Sequence, residues 1–271
     1  MARYKIVFSD IDGTLLNKDR ELSPLTLQVI RQLQREVPVV LISSRMPQAM
    51  QHLQQELHIA HQPLICYNGA QVIIEGETRS SKEIPWKTID ALHAFNKTLD
   101  CHLSVYNDTD WFVPAMDFWA KREENNTKVT PVVRPLAEVL EDWEHSEKGA
   151  HKIQCMGEPE KIDAIEKFLA GHFPDQLHLY RSKDTYLEIA NKNVSKLTAI
   201  KMLLSSHFKL SLEESIAFGD NYNDYEMLKA VGLGVAVGNA KSEILEIAKQ
   251  VAKHGKEDGV ALSLKELFNL S

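Results

Sequence analysis

The sequence predicts an α/β fold: a parallel sheet with helices packed on it, opened in mid-chain by an α+β insertion. Three observations predict it. Residues 5–67 alternate short apolar runs with helical stripes. Residues 194–268 repeat that alternation. Residues 82–189, between them, mix helical stripes with hairpin-like runs.

Each element follows from its residues. Residues 5–8 form a short apolar run that stops at Ser9-Asp10, the profile of a buried strand ending in a polar loop. Ser23-Pro24 reads as an N-cap with proline at the first helical position. Leu25, Val29, Ile30 and Leu33 then recur at helical spacing. Residues 39–42 are a second strand, ending at Ser43-Ser44-Arg45. Met46, Ala49, Met50, Leu53 and Leu57 make a second helical stripe, and residues 64–67 a third strand before Asn68-Gly69. In the second half, residues 194–208 are helical, 215–218 a strand ending at Gly219-Asp220, 225–231 helical, and 234–237 a strand ending at Gly238-Asn239-Ala240. Helices over 241–249 and 261–268 complete it. In the insertion, Ile89, Leu92, Phe95 and Leu99 mark one helix, and residues 103–106 and 111–113 a hairpin. Leu136, Val139, Leu140 and Trp143 mark a second helix, Ile162, Ile165, Phe168 and Leu169 a third. Strands are expected at 152–156, 177–180 and 186–189.

Composition narrows the function. With 31 Lys and Arg against 38 Asp and Glu, the net charge is -7, which argues against a nucleic-acid partner, since those select a basic surface. The three cysteines, Cys66, Cys101 and Cys155, are scattered without a CxxC spacing. They form neither a disulfide framework nor a zinc site, and they suit a reducing compartment. No signal-peptide pattern opens the chain, and no stretch approaches the ~20 apolar residues of a membrane span. A cytoplasmic protein with no membrane partner is expected; the sequence is silent on oligomeric state.

The sharpest chemical feature is Asp10-Ile11-Asp12-Gly13-Thr14-Leu15, directly after the first strand. Open α/β sheets bind ligands beyond the carboxyl ends of their strands. Two carboxylates at i and i+2, with a glycine for the turn, can converge on one small volume. Their mutual repulsion is relieved by a divalent cation, which also supplies a Lewis acid. Gly219-Asp220-Asn221-Tyr222-Asn223-Asp224 brings two more carboxylates to a strand end, and such oxygen-rich surroundings select Mg²⁺ or Ca²⁺ over zinc. The same cluster can also cap the following helix. Ser43, at a strand end before a helix, suits a phosphate oxygen. Lys196 carries no meaning by itself.

These four elements, in this order, resemble those of the haloacid dehalogenase-like phosphohydrolases, and within them the Cof-type subfamily. Asp10 to Leu16 matches the first motif, Ile42-Ser43-Ser44-Arg45 the second, Val194-Ser195-Lys196 the third and Phe218 to Asp224 the fourth. Tyr67-Asn68-Gly69-Ala70, Gly238-Asn239-Ala240 and Glu257-Asp258-Gly259-Val260 match further segments. Ser44 and Leu197 stand where glycines are usual, and Val237 where methionine is frequent. The resemblance implies a Rossmann-like core over 1–81 plus 190–271 and a C2-type (C2B) α+β cap over 82–189.

It further implies a Mg²⁺-dependent phosphatase of small phosphate monoesters, sugar phosphates or similar metabolites. Asp10 is the implied nucleophile and Asp12 the general acid and base. Asp10, Asp12 (through its carbonyl), Asp220 and Asp224 are the implied metal site. Ser43, Lys196 and Asn223, with backbone N–H groups near Ile11 and Ser44, are the implied phosphate site. Arg45 and Asn68 are candidate substrate contacts. A phosphomutase and a catalytically silent phosphosugar-binding regulator are the alternatives; the intact Asp10/Asp12 pair argues against the second. Tyr106, Trp111, Trp119, His151, Arg181 and Tyr186 could touch a leaving group, although aromatics at such positions more often build the cap's own core.

Overall fold

The computed structural model describes residues 4–270. The chain opens with β1 (Ile6–Ser9), α1 (Pro24–Leu33), β2 (Val39–Ile42), α2 (Gln48–Leu57), β3 (Leu64–Cys66), β4 (Gln71–Ile74) and β5 (Glu77–Ser81). Next come β6 (Ile84–Pro85), α3 (Trp86–Asn96), β7 (His102–Asn107), β8 (Asp110–Val113), α4 (Phe118–Thr127) and β9 (Val132–Val133). These are followed by α5 (Leu136–Ser146), β10 (Gly149–Ala150), β11 (Lys152–Met156), α6 (Pro159–His172), β12 (Leu177–Lys183) and β13 (Tyr186–Asn191). The last stretch holds α7 (Lys196–Leu203), β14 (Ser215–Gly219), α8 (Tyr225–Ala230), β15 (Leu233–Ala236), α9 (Ser242–Ile247), β16 (Gln250–Val251) and α10 (Gly259–Leu267).

Two compact units result: residues 4–44, 50–79 and 195–270 form one, and residues 45–49 with 80–194 the other. The first is built on an eight-stranded sheet, ordered β16-β15-β14-β1-β2-β3-β4-β5. From β16 to β3 every pairing is parallel. All of them except the edge strand β16 are buried on both faces, which is why β1, β2, β3, β14 and β15 read as continuous apolar runs rather than alternating ones. Ile6, Phe8, Val40, Ile42 and Ile65 pack with Ile200, Leu203, Met227 and Leu228 of α7 and α8. Leu197, in place of the usual glycine, packs against this cluster. Ser23 caps α1, accepting from the Thr26 N–H, with Pro24 next in line.

The second unit is α+β. Its six-stranded sheet runs β12-β13-β11-β7-β8-β9. Leu103, Val105, Ile153, Cys155, Leu187 and Ile189 face Ile89, Leu92, Val139, Leu140, Trp143, Ile162, Ile165 and Leu169 of α3, α5 and α6. The three cysteines are buried free thiols. No helix among the described residues is long and apolar enough to cross a membrane.

Several elements are absent from the sequence reading: the β4–β5 hairpin, helix α4 and the two-residue strands β6, β9, β10 and β16. The β4–β5 hairpin turns at Glu75 and Gly76, both at positive φ (54° and 80°), the conformation of a type I′ turn. Its second strand, Glu77-Thr78-Arg79-Ser80-Ser81, carries no apolar residue to announce it. Helix α4 is nearly as polar, with Ala120 its one buried residue. Its only local signal is Asp117, whose carboxylate accepts the Ala120 N–H at 2.9 Å.

Candidate active site

Register fixes the site. Ser9 pairs with Leu41 of β2 and with Phe218 of β14. The residues just past these three strands, Asp10-Ile11, Ser43 and Asp220, therefore share one edge of the sheet. This is the carboxyl edge, where open α/β sheets bind ligands.

Lys196 joins the two acidic clusters. It is the first residue of α7, set by a capping box in which Ser195 and Thr198 bond each other's backbone N–H. Gly69, at φ +102°, makes room for that helix start: a Cβ there would lie 2.6 Å from the Ser195 carbonyl. The Lys196 ammonium is fully buried and donates to Asp10 Oδ1 at 2.5 Å and to Asp224 Oδ1 at 2.6 Å. Burial pushes a lysine down, but Asp10 and Asp224 together carry Lys196 above its ordinary value, so it is charged. Burial raises Asp10 well above the usual carboxylate range; Lys196 opposes this, while Asp224 and Asp220 add to it. Asp224 is wholly buried, and its Oδ2 accepts the N–H groups of Asp220 (2.9 Å) and Asn221 (3.0 Å). It thus ties the 220–224 loop to the lysine.

Asp220 is held from the first motif. Thr14 Oγ1 donates to Asp220 Oδ1 at 2.8 Å. Gly13 sits at φ +86°, and a Cβ there would collide with the Asp220 carboxylate. Asn239 donates to the Gly13 carbonyl and accepts the Gly255 N–H, each at 2.8 Å. Two C-terminal segments thereby brace the Gly13 turn. Burial, then Asp224, raise the Asp220 carboxyl to about 6.

The remaining sequence-derived residues are placed as follows. Ser43 is buried, and its carbonyl accepts the Asn68 N–H at 2.8 Å. Asn68, at φ +56°, accepts at its side-chain oxygen from Asn223 Nδ2 at 3.0 Å. Ser43, Asn68 and Asn223, from three motifs, are therefore linked. Ile11 is buried and Ser44 half-buried beside them in sequence. The Asp12 carboxylate is paired with Arg20 at 2.7 Å. Arg45 belongs to the segment that groups with the second unit, and donates to the Ala49 carbonyl at 3.0 Å.

The haloacid dehalogenase-like hydrolase profile matches residues 7–264. The chain belongs to this family. It is 36% identical over 272 residues, 98% of each chain, to a Haemophilus influenzae protein named "Putative phosphatase". It is 28% identical, again over 98% of each, to the 5-amino-6-(5-phospho-D-ribitylamino)uracil phosphatase of Bacillus subtilis. A haloacid dehalogenase-like hydrolase from Bacteroides thetaiotaomicron superposes with a TM-score of 0.89 at 25% identity, covering 98% of this chain and all of that one. Such coverage includes the inserted unit. As a member of this family the chain is an enzyme, a hydrolase of phosphate monoesters.

Haloacid dehalogenase-like hydrolases generally use Mg²⁺, and the side chains here suit it. Asp10, Asp220 and Asp224 offer carboxylate oxygens that lie within 4.8 Å of one another. Three buried or half-buried carboxylates against one ammonium leave a local negative excess, and hard oxygen donors match a hard cation. Gly13→Ala is expected to displace Asp220 and lower phosphatase kcat/KM by about 100-fold. The far-ultraviolet circular dichroism should stay native; unchanged kcat/KM would show that the Gly13 turn does not set Asp220.

In this hydrolase, of the aromatic candidates of the second unit, Tyr106, Trp111 and Tyr186 are buried and Trp119 is half-buried. Trp111 is buried, donates to Ser104 Oγ at 3.0 Å and stacks on Tyr106. Tyr186 packs edge-on against Trp119. Arg181 is paired with Asp163 and Glu166. His102 bridges Ser104 Oγ (2.9 Å) and Asp117 (2.8 Å), but Ser104 is fully buried, so this serine–histidine–aspartate chain pins the start of α4 to β7. His151 accepts the Asp108 N–H at Nδ1 (2.9 Å), which places its proton on Nε2, 2.9 Å from Ser81 Oγ.

Burial lowers His151, opposed by Glu83 and Asp108. The folded state therefore binds fewer protons than the unfolded state just below the usual histidine pKa of about 6.5. Stability from this group is intact above that pH and falls as pH drops through it, by at most about 1.4 kcal/mol per pH unit. Urea melts at pH 7.5 and 5.5 should show a smaller acid loss for His151→Gln than for wild type.

Proposed function

We propose that the chain is a Mg²⁺-dependent phosphatase that hydrolyses small phosphate monoesters, sugar phosphates or similar metabolites, through an aspartyl-phosphate on Asp10. The observation that carries this reading is the Asp10 carboxylate at the end of β1, gripped at Oδ1 by the buried Lys196 ammonium. That grip fixes the carboxylate plane, so the other oxygen is the one presented for attack on phosphorus. Asp12 protonates the leaving alcohol and then takes a proton from the water that cleaves the acyl phosphate. Ser43, Asn223, Lys196 and the backbone N–H groups of Ile11 and Ser44 hold the phosphoryl oxygens. Phosphoryl transfer needs mainly such positioning and charge stabilisation. Mg²⁺, held by Asp10, Asp220 and the Asp12 carbonyl with Asp224 supporting, supplies Lewis-acid charge at the phosphoryl group.

The inserted α+β unit is assigned the selection of the leaving group. Residues 82–189 contain 13 basic and 20 acidic residues, so the whole net charge of the chain lies there. Long-range repulsion by such a unit disfavours polyanionic substrates and weakens with salt. The Bacillus subtilis relative is named for a phosphorylated small metabolite, which supports a substrate of that class.

The test is phosphate release from p-nitrophenyl phosphate and a panel of phosphorylated metabolites, with Mg²⁺ and with chelator. Turnover is expected with Mg²⁺ and none after chelation. Mg²⁺ at 100 times its Kd should also raise stability by about 2.7 kcal/mol. Isomerised sugar phosphate without phosphate release would instead mark a mutase, and no turnover on any ester a silent binder.

A further inference from the structure

We propose that Arg20 is a positioning residue for Asp12, an inference that rests on the reading of Asp12 as the acid of the proposed phosphatase reaction. Arg20 lies eight residues after Asp12 in a turn built by one asparagine. Asn17 Oδ1 accepts the N–H groups of Asp19 (2.8 Å) and Glu21 (3.0 Å). The Asn17 N–H donates to the Glu21 carbonyl at 2.9 Å, and the Arg20 N–H donates to the Asn17 carbonyl at 3.1 Å. Four hydrogen bonds thus hold residues 17–21 and keep Arg20 at φ +63°, a left-handed conformation unfavourable for a residue with a Cβ. From there Arg20 Nη2 donates to Asp12 Oδ1 at 2.7 Å.

Stability does not account for this arrangement. The two side chains are 49% and 39% exposed, and exposed ion pairs contribute little. Residues held in such conformations cluster at functional sites, where the surrounding structure over-determines them. Here Arg20 reaches a carboxyl group whose orientation matters to the reaction. When the ester bond breaks, the phosphorus–oxygen bond to the alcohol is lost as the bond to Asp10 forms, and the alcohol oxygen takes the proton from Asp12. With Oδ1 on the guanidinium, the carboxyl plane is fixed and the proton travels from Oδ2. In the second half, the same oxygen receives a proton from water as the acyl phosphate is cleaved.

The test compares two aryl esters at saturating Mg²⁺. p-Nitrophenyl phosphate releases a weakly basic phenolate that needs little protonation; phenyl phosphate releases a far more basic one. The variants are Arg20→Gly, which suits the left-handed backbone, and Arg20→Lys, which keeps one donor nitrogen. For Arg20→Gly, kcat/KM is expected to fall about tenfold on phenyl phosphate and less than about threefold on p-nitrophenyl phosphate. Its Tm should match or exceed that of wild type. Arg20→Lys should recover most of the loss, and adding Arg20→Gly to Asp12→Asn should cost nothing further. Equal losses on both esters, no loss, or a lowered Tm with equal losses would overturn the inference. Asp12→Asn separates the two ideas. If it penalises phenyl phosphate more and Arg20→Gly does not, the positioning role alone fails. If Asp12→Asn itself shows no such bias, the acid role fails and takes the inference with it.

Discussion

Asp10→Asn is expected to lower phosphatase turnover by at least about 10⁴-fold, the scale of removing a nucleophile, while the protein melts at the same temperature or higher. The first half follows from chemistry: a carboxamide oxygen is a poor nucleophile and cannot carry the phosphoryl group as an acyl phosphate. The second follows from the charges. Asp10 is buried with Asp224 and near Asp220, facing one ammonium, and burial already holds its carboxyl well above the usual range. Asparagine keeps an oxygen for Lys196 Nζ and removes one negative charge from that crowd. Phosphate release and a thermal melt on the same preparation check both halves. More than a tenth of wild-type turnover would remove Asp10 from the nucleophile's place, and a large drop in Tm would show that its charge is structural.

The parts legible in the sequence are those whose signal is local. β1, β2, β3 and β14 are short runs buried on both faces, so they stand out as unbroken apolar stretches. Asp10 to Thr14 and Asp220 to Asp224 announce themselves because two carboxylates and a glycine at a strand end have few other uses. Lys196 is different. Its role depends on Asp10, 186 residues earlier, and only the order of motifs gave it weight. Thr14, Asn239 and Arg20 escaped as individual contributors for the same reason, each acting on a partner that spacing does not reveal. Asn17 is a near miss, since an Asn-initiated turn is a recognisable local signal.

In the insertion and at the sheet edge before it, the limits are of another kind. Helix α4 lacks an apolar stripe, and β5 is polar on both faces. Neither element buries enough hydrophobic surface for periodicity to detect. That the aromatic residues of the insertion build the unit's own core is legible as a tendency of composition, but not which of them meet. Tyr106 and Trp111 stack on each other because the β7–β8 register sets them opposite one another, a consequence of pairing rather than of composition.

Lys196→Met should be the most destabilising single change at the site. Methionine fills much of the volume but leaves Asp10 and Asp224 buried without their shared cation. Breaking a buried ion pair by removing one partner typically costs about 3–5 kcal/mol. At roughly 2–4 °C per kcal/mol, that is a Tm drop on the order of 6–20 °C. Activity should fall by about 10²–10³-fold beyond any unfolding, because a donor to the phosphoryl oxygens is lost as well. Two further measurements separate charge from packing. If charge is the cause, Mg²⁺ should raise the Tm of Lys196→Met by more than it raises that of wild type, since a cation among the carboxylates replaces part of what the lysine supplied. Adding Asp10→Asn to Lys196→Met should likewise recover stability, because one of the two stranded charges is then gone, a coupling readable as a double-mutant cycle. If neither Mg²⁺ nor the second substitution restores stability, the loss is one of packing around the start of α7, and Lys196 is not the electrostatic keystone of the two acidic motifs.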